Sequence, residues 1–520
     1  MNYQSIIGLE THVELKTKTK MFCTCRNDPD EHHPNILICP TCLGHPGTLP
    51  VINKEAVRKT IKTGLALNCQ IPEYSKFDRK NYFYPDLPKG YQISQLYQPL
   101  CKEGFLEIDG NPEGKQASYG ARKIRIREVH LEEDTGRLSH HYVMVAGTGH
   151  FYLNDKPKEE EVIEKPPDNE EYSLIDFNRA GIPLMELVTE PDLKSAKEAR
   201  RFAEELQLIL RYLGVSDADM EKGQLRVEVN ISLSKTKKLG TKVEIKNLNS
   251  FRAIEKGIDY EIKRQTEILK SGKKVTQETR GWSEMKGMTI GQREKEEAHD
   301  YRYFPEPDLP LLHSKEEFIN KIKAEIPELP RQKRERFKRE YELEEKNTEV
   351  FVQNKDLGEY FEKVVSEFGP RLSKEKLFKL IKLATNYLIT DLQGLLKGAL
   401  VIGENFLITP ENFAEFISLI EEGKISSKIA KQVLEEMFKT GADPSHIIEE
   451  KGLIQITNEA EIKKIVKKVI SKNPKAVQDF KLGKKTAVQF LIGQIMTQTK
   501  GKANPQIVRD ILNKHLTKIK

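Results

Sequence analysis

The stretch Gly8-Leu9-Glu10-Thr11-His12-Val13-Glu14-Leu15 alternates apolar and polar side chains. Successive side chains of a β-strand point to opposite faces, so the stretch predicts a strand with one apolar face in a core. Glu10, His12 and Glu14 would share the other face. Two carboxylates and an imidazole on one face are typical either of a half-solvated strand or of a metal or acid–base site.

The same alternation returns further along the chain. Residues 224–233 place Arg226 and Glu228 on one polar face, and residues 242–246 repeat the pattern. In residues 124–134 the apolar parity switches near Arg127, which predicts a β-bulge, a feature often found beside active sites. A sheet with one apolar and one polar face is normally antiparallel. We therefore expect an α+β fold built on an antiparallel sheet.

The polar faces of these strands combine acidic and basic residues. Glutamate oxygens suit hard cations such as Mg²⁺, and Arg226 and Lys246 suit phosphate oxygens. The chain contains no G-x-x-x-x-G-K-[ST] phosphate loop. These observations predict a Mg²⁺-nucleotide held on an open sheet by side chains and metal.

Composition narrows the class of protein. The 520 residues suffice for about three domains of roughly 150 residues each. With 38% hydrophobic and 32% charged residues, the chain has the composition of a soluble protein. No apolar run approaches the ~18 residues of a membrane span, and the acidic Glu10 interrupts any signal peptide. We expect a cytoplasmic protein without a membrane partner.

Four of the six cysteines form two closely spaced pairs, which are Cys23, Cys25, Cys39 and Cys42. Two such pairs are how one loop supplies four thiolates to a tetrahedral zinc ion. We expect a structural zinc site in the loop 23–42. The alternatives are free thiols, or a histidine of the same region in place of one sulfur.

Charge is concentrated at the C-terminus. Residues 461–520 contain fourteen Lys and one Arg against three acidic residues, a net charge of +12 in a chain whose total is +6. A basic tail on an acidic body indicates either a nucleic-acid contact or a solvated helical surface. It has no row of aromatic residues for base stacking, which favours contact with the phosphate backbone.

The periodicity changes along the chain. Strands and turns dominate to about residue 310, with a helix over 193–212 and a hydrophilic surface insertion over 154–171. The proline-rich segment 304–310 indicates a domain border. Helical patterns follow. Ser314 with Glu317 predicts a capping box, and Thr409 predicts an N-cap before a proline. We expect no strands after about residue 350.

The chain contains several longer motifs: Gly-Leu-Glu-x-His-Val-Glu-Leu at 8–15, the aromatic and charged stretch 77–95, His-Leu-Glu-Glu-Asp at 130–134, Asp-Phe-Asn-Arg-Ala-Gly at 176–181, Glu-Ile-Lys-Asn-Leu-Asn-Ser-Phe at 244–251 and Asp-Tyr-Arg-Tyr-Phe-Pro-Glu-Pro-Asp at 300–308. Together these motifs resemble those of the B subunit of the tRNA-dependent amidotransferase. The resemblance extends through the tail, including residues 500–505.

The resemblance implies a fold and an activity. It implies a catalytic cradle over 1–300 whose sheet is similar to that of glutamine synthetase, a helical domain over 301–405, and a YqeY-like tail over 406–520 that binds tRNA. The cradle would use ATP and Mg²⁺ to phosphorylate the side-chain carboxylate of Glu-tRNA(Gln), Asp-tRNA(Asn) or both. Ammonia would then replace phosphate.

The resemblance also assigns roles to residues. The metal-binding and catalytic positions are Glu10, His12, Glu133 and Glu228. We expect phosphate and substrate contacts from Arg226, Lys246, Asn247 and Arg302. Lys80 and Tyr82 are candidates for the end of an ammonia channel, and Glu14 is expected to support the site. Glu228 departs from the family, which commonly has aspartate there.

The chain lacks the sequence signatures of a glutamine-hydrolysing enzyme. It has neither a Gly-x-Cys-x-Gly elbow nor an amidase serine–lysine context. The resemblance therefore implies an amidase-type A subunit and a small C subunit as partners, with mischarged tRNA as substrate and no DNA. The alternative hypothesis is a non-catalytic, zinc-ordered subunit that only binds tRNA.

Overall fold

The computed structural model describes residues 3–109, 121–141, 172–236, 238–294, 301–369, 372–401, 406–453, 458–481, 484, 486–499, 503 and 505–518. The chain forms two compact units, residues 1–329 and 330–520. The insertion expected over 154–171 lies outside the described residues.

The first unit contains the strands and four of the helices. The strands are β1 (Gln4–Glu14), β2 (Tyr74–Ser75), β3 (Asp78–Asn81), β4 (Tyr91–Ser94), β5 (Cys101–Ile108), β6 (Arg122–Glu133), β7 (Arg137–His141), β8 (Tyr172–Asp176), β9 (Pro183–Thr189), β10 (Leu225–Ser234), β11 (Val243–Leu248), β12 (Glu278–Ser283), β13 (Met288–Glu294), β14 (Phe304–Pro305) and β15 (Leu312–His313). The helices are α1 (Lys54–Ala66), α2 (Ala196–Tyr212), α3 (Phe251–Lys270) and α4 (Glu316–Ala324).

Eight strands form the central sheet in the order β13-β12-β11-β10-β1-β9-β6-β5. All neighbours are antiparallel except β11 and β12. The sequence expectation of a mixed α/β chain with a largely antiparallel sheet and an all-helical C-terminal part is confirmed.

One face of this sheet is the core of the first unit. Leu9, Val13, Val229 and Met185 are each at most 1% exposed and lie on that face. Helices α1, α2 and α3 cover it with their own apolar sides. Because side chains alternate, most of the charged residues of the same strands, among them Glu10, His12 and Glu228, emerge on the opposite face.

Strand β6 carries the bulge that the parity switch predicts. Its register with β9 shifts between Ile126 and Glu128. Val129 and Leu131 are fully buried after the shift. The switch therefore keeps apolar side chains in the core on both sides of the irregularity.

The segment after residue 300 packs with the first unit. Strand β14 pairs with β3, β15 pairs with β2, and the Arg79 guanidinium binds the buried Glu306 carboxylate at 2.5 and 2.9 Å. The division between units therefore falls after Leu329, later than both the proline-rich border at 304–310 and the end at residue 300 that the resemblance implies for the cradle. The predicted capping box is wrong, because α4 begins after Lys315 and no side chain caps it.

The secondary-structure elements of the second unit are all helices within its described residues. Its helices are α5 (Pro330–Glu340), α6 (Glu345–Gln353), α7 (Lys355–Glu367), α8 (Lys374–Asn386), a π-helical turn (Tyr387–Leu392), α9 (Gln393–Leu396), α10 (Pro410–Glu421), α11 (Ser427–Thr440), α12 (Pro444–Glu450), α13 (Glu459–Lys472), α14 (Pro474–Lys481), α15 (Thr486–Gln498) and α16 (Pro505–Lys518). The predicted N-cap of α10 is confirmed, because the Thr409 hydroxyl accepts from Asn412 N–H at 3.2 Å.

Two hydrophobic cores lie within the second unit. One joins α5–α12, and the other joins α13–α16 through side chains such as Ile462, Val466 and Leu491. The opposite side of α13 exposes several lysines, among them Lys464 and Lys468. None of the described helices is long and apolar enough to cross a membrane.

A glycine in β5 offers a direct test of this packing. A Cβ at Gly104 would lie 2.3 Å from Cys69 Sγ and 2.7 Å from the Leu67 carbonyl oxygen, which belongs to the backbone. We expect Gly104→Ala to lower the free energy of unfolding by about 1–3 kcal/mol, because the backbone must move. Chemical denaturation measures the change. In the matched variant Gly8→Ala the nearest atoms are at 3.7 Å, and little loss is expected.

Candidate metal and phosphate site

The register of four strands assembles the polar face. Glu10 lies opposite Glu228 across β1 and β10. His12 lies opposite Glu186 across β1 and β9, and Glu186 lies opposite His130 across β9 and β6. Residues that are far apart in sequence thus form one continuous acidic and imidazole surface.

His12 occupies the centre of this surface. Its Nε2 lies 3.5 Å from a Glu186 oxygen, 3.8 Å from a Glu10 oxygen and 4.0 Å from a Glu132 oxygen. Burial by itself would lower the pKa of His12, but the hydrogen bond and charge of Glu186, together with Glu132, raise it to about 9. Three carboxylates thus surround one largely buried imidazole.

Glu186 joins two histidines. Its carboxylate lies 3.2 Å from Nε2 of His130, as well as facing His12. Burial opposes the charge on His130, yet the Glu186 carboxylate raises the pKa of that imidazole to about 9. Both imidazoles in turn hold the pKa of Glu186 well below its usual range against the effect of burial.

Glu10 lies where the carboxylates are most crowded. Burial, followed by the Glu186 charge, raises its pKa to about 7. Glu10, Glu228 and Glu244 bring oxygens within 4.8 Å of one another, and Lys246 Nζ contacts both Glu228 oxygens at 2.8 and 2.9 Å. Because carboxylates this close repel one another, a bound cation would stabilise the cluster.

Two further triads have the same spacing. They are Glu10, His12 and Glu186, and His130, Glu132 and Glu186. The Asn230 side-chain oxygen lies on the same face, is buried, and has no hydrogen-bond partner in the described part of the chain. Carboxylate and amide oxygens are ligands of Mg²⁺, so these residues fit a hard divalent cation.

Beside the carboxylates lies an arginine pair. Arg179 Nη2 lies 2.6 Å from Glu14 Oε1 and 2.7 Å from Asp134 Oδ2. Arg226 Nη2 lies 3.0 Å from the other oxygen of Asp134. Burial favours the neutral acid, but Arg226 and Arg179 hold the pKa of Asp134 below its usual range. Glu14 therefore contacts the arginines. Glu10 and His12 of the same strand instead belong to the acidic group, by which we mean Glu10, His12, His130, Glu132, Glu186, Glu228 and Glu244.

Glu133 does not join the acidic group. Its carboxylate forms an ion pair with Lys89 and accepts from Ile93 N–H at 2.9 Å. The reason is strand parity: after the bulge, Val129, Leu131 and Glu133 share the core face. The neighbouring Glu132 occupies the position beside His12 that the family resemblance gives to Glu133.

The aromatic stretch borders the acidic group. Lys80 Nζ lies 5.6 Å from the Tyr82 ring centre and 5.1 Å from that of Tyr301. Burial and then the Glu132 charge raise the pKa values of Tyr82 and Tyr303. The Lys80 charge opposes the effect of burial on the pKa of Glu132, so this lysine faces the same carboxylates.

The two remaining predicted contacts occupy strained backbone. Asn247 at φ 61° and Arg302 at φ 44° are both exposed and left-handed. The Arg302 carbonyl accepts from the Asn81 side chain at 2.8 Å. Non-glycine residues in this region are uncommon and concentrate at functional sites.

The four cysteines converge as their spacing predicts. Their sulfur atoms lie within 4.8 Å of one another, and all four are free thiols. The hydrogen bond from Cys23 lowers the pKa of Cys42, although burial opposes it. Four sulfurs at this separation fit a tetrahedral zinc ion with Zn–S bonds of about 2.3 Å.

Sequence reasoning missed four members of the acidic group: His130, Glu132, Glu186 and Glu244. A signal existed for each. Glu186 is an acidic residue within the otherwise apolar strand Pro183–Thr189, and strand parity placed the other three on the polar faces.

Two known protein families match most of the chain. Residues 5–320 match the family described as the GatB/GatE catalytic domain, and residues 359–516 match the one described as the GatB domain. The chain belongs to the family of tRNA-dependent amidotransferase B subunits. This family contributes to a ligase-type enzyme of protein biosynthesis.

Curated relatives cover the full length of the chain. The B subunit of the aspartyl/glutamyl-tRNA(Asn/Gln) amidotransferase of Thermotoga petrophila is 48% identical over 99% of both chains. The proteins of the same name from Caldicellulosiruptor saccharolyticus and Thermoanaerobacter pseudethanolicus are 47% and 45% identical over 100% of both chains. The expected resemblance is therefore confirmed from end to end.

Histidine titration provides a test in metal-free protein. The raised pKa values mean that Glu186 stabilises the fold fully below about pH 6.5 and that this contribution disappears as pH rises through about 9. In EDTA, we expect the melting temperature of the wild type to fall between pH 6.5 and 9.5 and that of Glu186→Gln to fall less. Glu190→Gln, which removes a half-buried carboxylate that pairs with Arg127 away from the two histidines, should follow the wild type.

Proposed function

We propose that this chain is the subunit that phosphorylates and then amidates mischarged aminoacyl-tRNA. The substrate is the side-chain carboxylate of Glu-tRNA(Gln), Asp-tRNA(Asn) or both, as the names of the relatives suggest. The observation that carries the proposal is the open polar face on which carboxylates and imidazoles lie next to Arg226 and Lys246.

The chemistry requires a change of leaving group. Hydroxide leaves a carboxylate poorly, so a carboxylate oxygen first attacks the γ-phosphorus of ATP, and ADP leaves. Phosphoryl transfer depends on positioning and charge neutralisation. The Arg226 guanidinium and Lys246 ammonium, both partly exposed on the polar face, are suited to hold phosphate oxygens there.

When bound, Mg²⁺ would supply charge neutralisation for the phosphoryl group that is transferred. The residues that fit it are Glu10, His12 and Glu228 from the expected set, joined by Glu132 and Glu186. Glu133 pairs with Lys89, so we assign its expected role to Glu132. The longer side chain of Glu228, compared with the usual aspartate, is accommodated by its contact with Lys246.

In the second step, ammonia attacks the carbonyl carbon of the acyl phosphate, and phosphate leaves with the bonding electrons while nitrogen loses a proton. Ammonia would come from an amidase-type A subunit held with a small C subunit. Lys80 and Tyr82 adjoin the carboxylates and are suited to line the end of its path. Asn247 and Arg302 would contact substrate from the exposed rim.

The remaining parts support this assignment. We assign the first unit, residues 1–329, to the cradle similar to glutamine synthetase that was expected over 1–300, residues 330–405 to the helical domain expected over 301–405, and residues 406–520 to a YqeY-like tail that holds the tRNA backbone. The exposed lysines of α13 supply the charge for that contact. The cysteine cluster would hold structural zinc. A translation enzyme of this kind would be cytoplasmic.

Substitution of Glu10 separates this proposal from a non-catalytic, tRNA-binding subunit. With purified complex, mischarged tRNA, ATP and ammonium, Glu10→Gln should form ADP and amidated tRNA at least about 100-fold more slowly, because a metal ligand and its charge are lost. Glu107→Gln, at the edge of the same sheet, should retain activity. Wild-type rates for Glu10→Gln would favour the tRNA-binding subunit instead.

Metal analysis tests the cysteine cluster. We expect about one zinc ion per chain in the wild type, since four thiolates complete a structural site. Cys39→Ser should lower the zinc content, whereas Cys69→Ser, at an isolated buried cysteine, should not. A stable wild-type protein without zinc would contradict the assignment.

Two lysines of α13 test the tail. Replacing Lys464 and Lys468 by alanine should weaken tRNA binding. It should also make the slope of log K against log salt concentration shallower by roughly 1–2, since each phosphate contact contributes about 0.7–0.9 to that slope. The control replaces Lys379 and Lys382, exposed on α8. Equal affinity of both variants at low and high salt would exclude α13 from the tRNA contact.

A further inference from the structure

Lys20 is a fully buried lysine beside the cysteine cluster. Its exposed fraction is 0%, and it is among the largest completely buried side chains of the described residues. Its Nζ lies 3.9 Å from Cys42 Sγ and donates to the Phe177 carbonyl oxygen at 3.3 Å. Burying an ammonium group is unfavourable unless an anion lies nearby.

The anion that accompanies Lys20 is not a carboxylate. Within the described part of the chain, its Nζ contacts only the carbonyl and the sulfur named above. Four thiolates around Zn²⁺ carry a net charge of −2, and one of those thiolates would be the Cys42 sulfur. The metal-loaded cluster therefore offers the negative charge that a buried ammonium requires.

We propose that Lys20 is the buried counter-cation of a zinc tetrathiolate and positions Cys42 through an N–H···S hydrogen bond. The inference rests on the zinc assignment above. Outer partners of this kind orient metal ligands and tune their basicity, and their loss typically weakens metal binding by about 10–100-fold. Lys20 is a positioning residue, because it acts on the metal through the Cys42 sulfur.

The same lysine connects the cluster to the polar face. Its Phe177 contact lies in the turn that carries Arg179, and Met21 N–H donates to the Gly181 carbonyl at 2.7 Å in that turn. A Cβ at Gly181 would lie 3.5 Å from Cys42 Cβ and 3.6 Å from Lys20 Cδ, so the turn packs directly on both residues. Zinc binding would thereby hold the turn from which Arg179 reaches Asp134.

Lys20→Met tests the proposal through metal binding and stability in the full-length chain. Zinc transfer to a chromophoric chelator should show about 10–100-fold weaker binding than in the wild type. Zinc loss on acidification should begin at higher pH, since thiolates without the Lys20 ammonium beside them protonate more readily. The metal-free variant should melt at or above the metal-free wild type, because an unpaired buried charge has been removed. Lys18→Met, at an exposed position in the same loop, should match the wild type in each assay.

The results of these assays separate the role of Lys20 from the zinc assignment on which it rests. Wild-type zinc affinity in Lys20→Met, or an equal loss of melting temperature with and without zinc, would overturn the role of Lys20. A wild type without zinc would overturn the zinc assignment and this inference together, and zinc content measured first separates the two failures. If Lys20→Met does not fold, Lys20→Gln is measured in the same way, and failure of both to fold with zinc present would give Lys20 a role independent of the metal.

Discussion

The register of β10, β1, β9 and β6 is the constraint on which the site depends. Because side chains alternate, a shift by one residue in any of these strands would exchange its polar and apolar faces. The buried apolar face prevents such a shift, since Leu9, Val13, Val229 and Met185 would all move into solvent. Hydrophobic packing on one side of the sheet thus holds like-charged carboxylates together on the other.

Holding these carboxylates together opposes folding of the metal-free chain. Burial and then the Glu186 charge raise the pKa of Glu10, so repulsion between the carboxylates adds to the cost of burying that charge. The two imidazoles offset part of it through Glu186, and Lys246 offsets another part through Glu228. What remains is a site suited to bind a cation and, through the arginines beside it, phosphate.

Much of this arrangement was predictable from sequence. Alternation indicated the strand faces, the parity switch indicated the bulge in β6, and the spacing of the cysteines indicated their cluster. The family resemblance pointed to Glu133 rather than Glu132, although strand parity placed Glu132 on the polar face. Alternation within a single strand reports which face a residue occupies, and the structure places Glu132 beside His12 as parity indicated.

Other features depended on tertiary pairing. Glu186 is marked in the sequence as an acidic residue within an apolar strand, but its contacts with His12 and His130 could not be predicted. The contribution of Glu186 follows from which strands are neighbours, and local sequence does not specify that order. The division between units moved to Leu329 because β14 and β15 pair with strands formed far earlier in the chain. The burial of Lys20 likewise depends on a turn contributed by residues near 180.

The central claim is that the acidic face binds the catalytic cation together with nucleotide. Anomalous diffraction from crystals soaked with Mn²⁺ and a non-hydrolysable ATP analogue tests it most directly. The account predicts a peak about 2.0–2.3 Å from oxygens of Glu10 and its neighbours, with phosphate density towards Arg226 and Lys246. Manganese and nucleotide bound together elsewhere on the chain, with the acidic face empty, would contradict it.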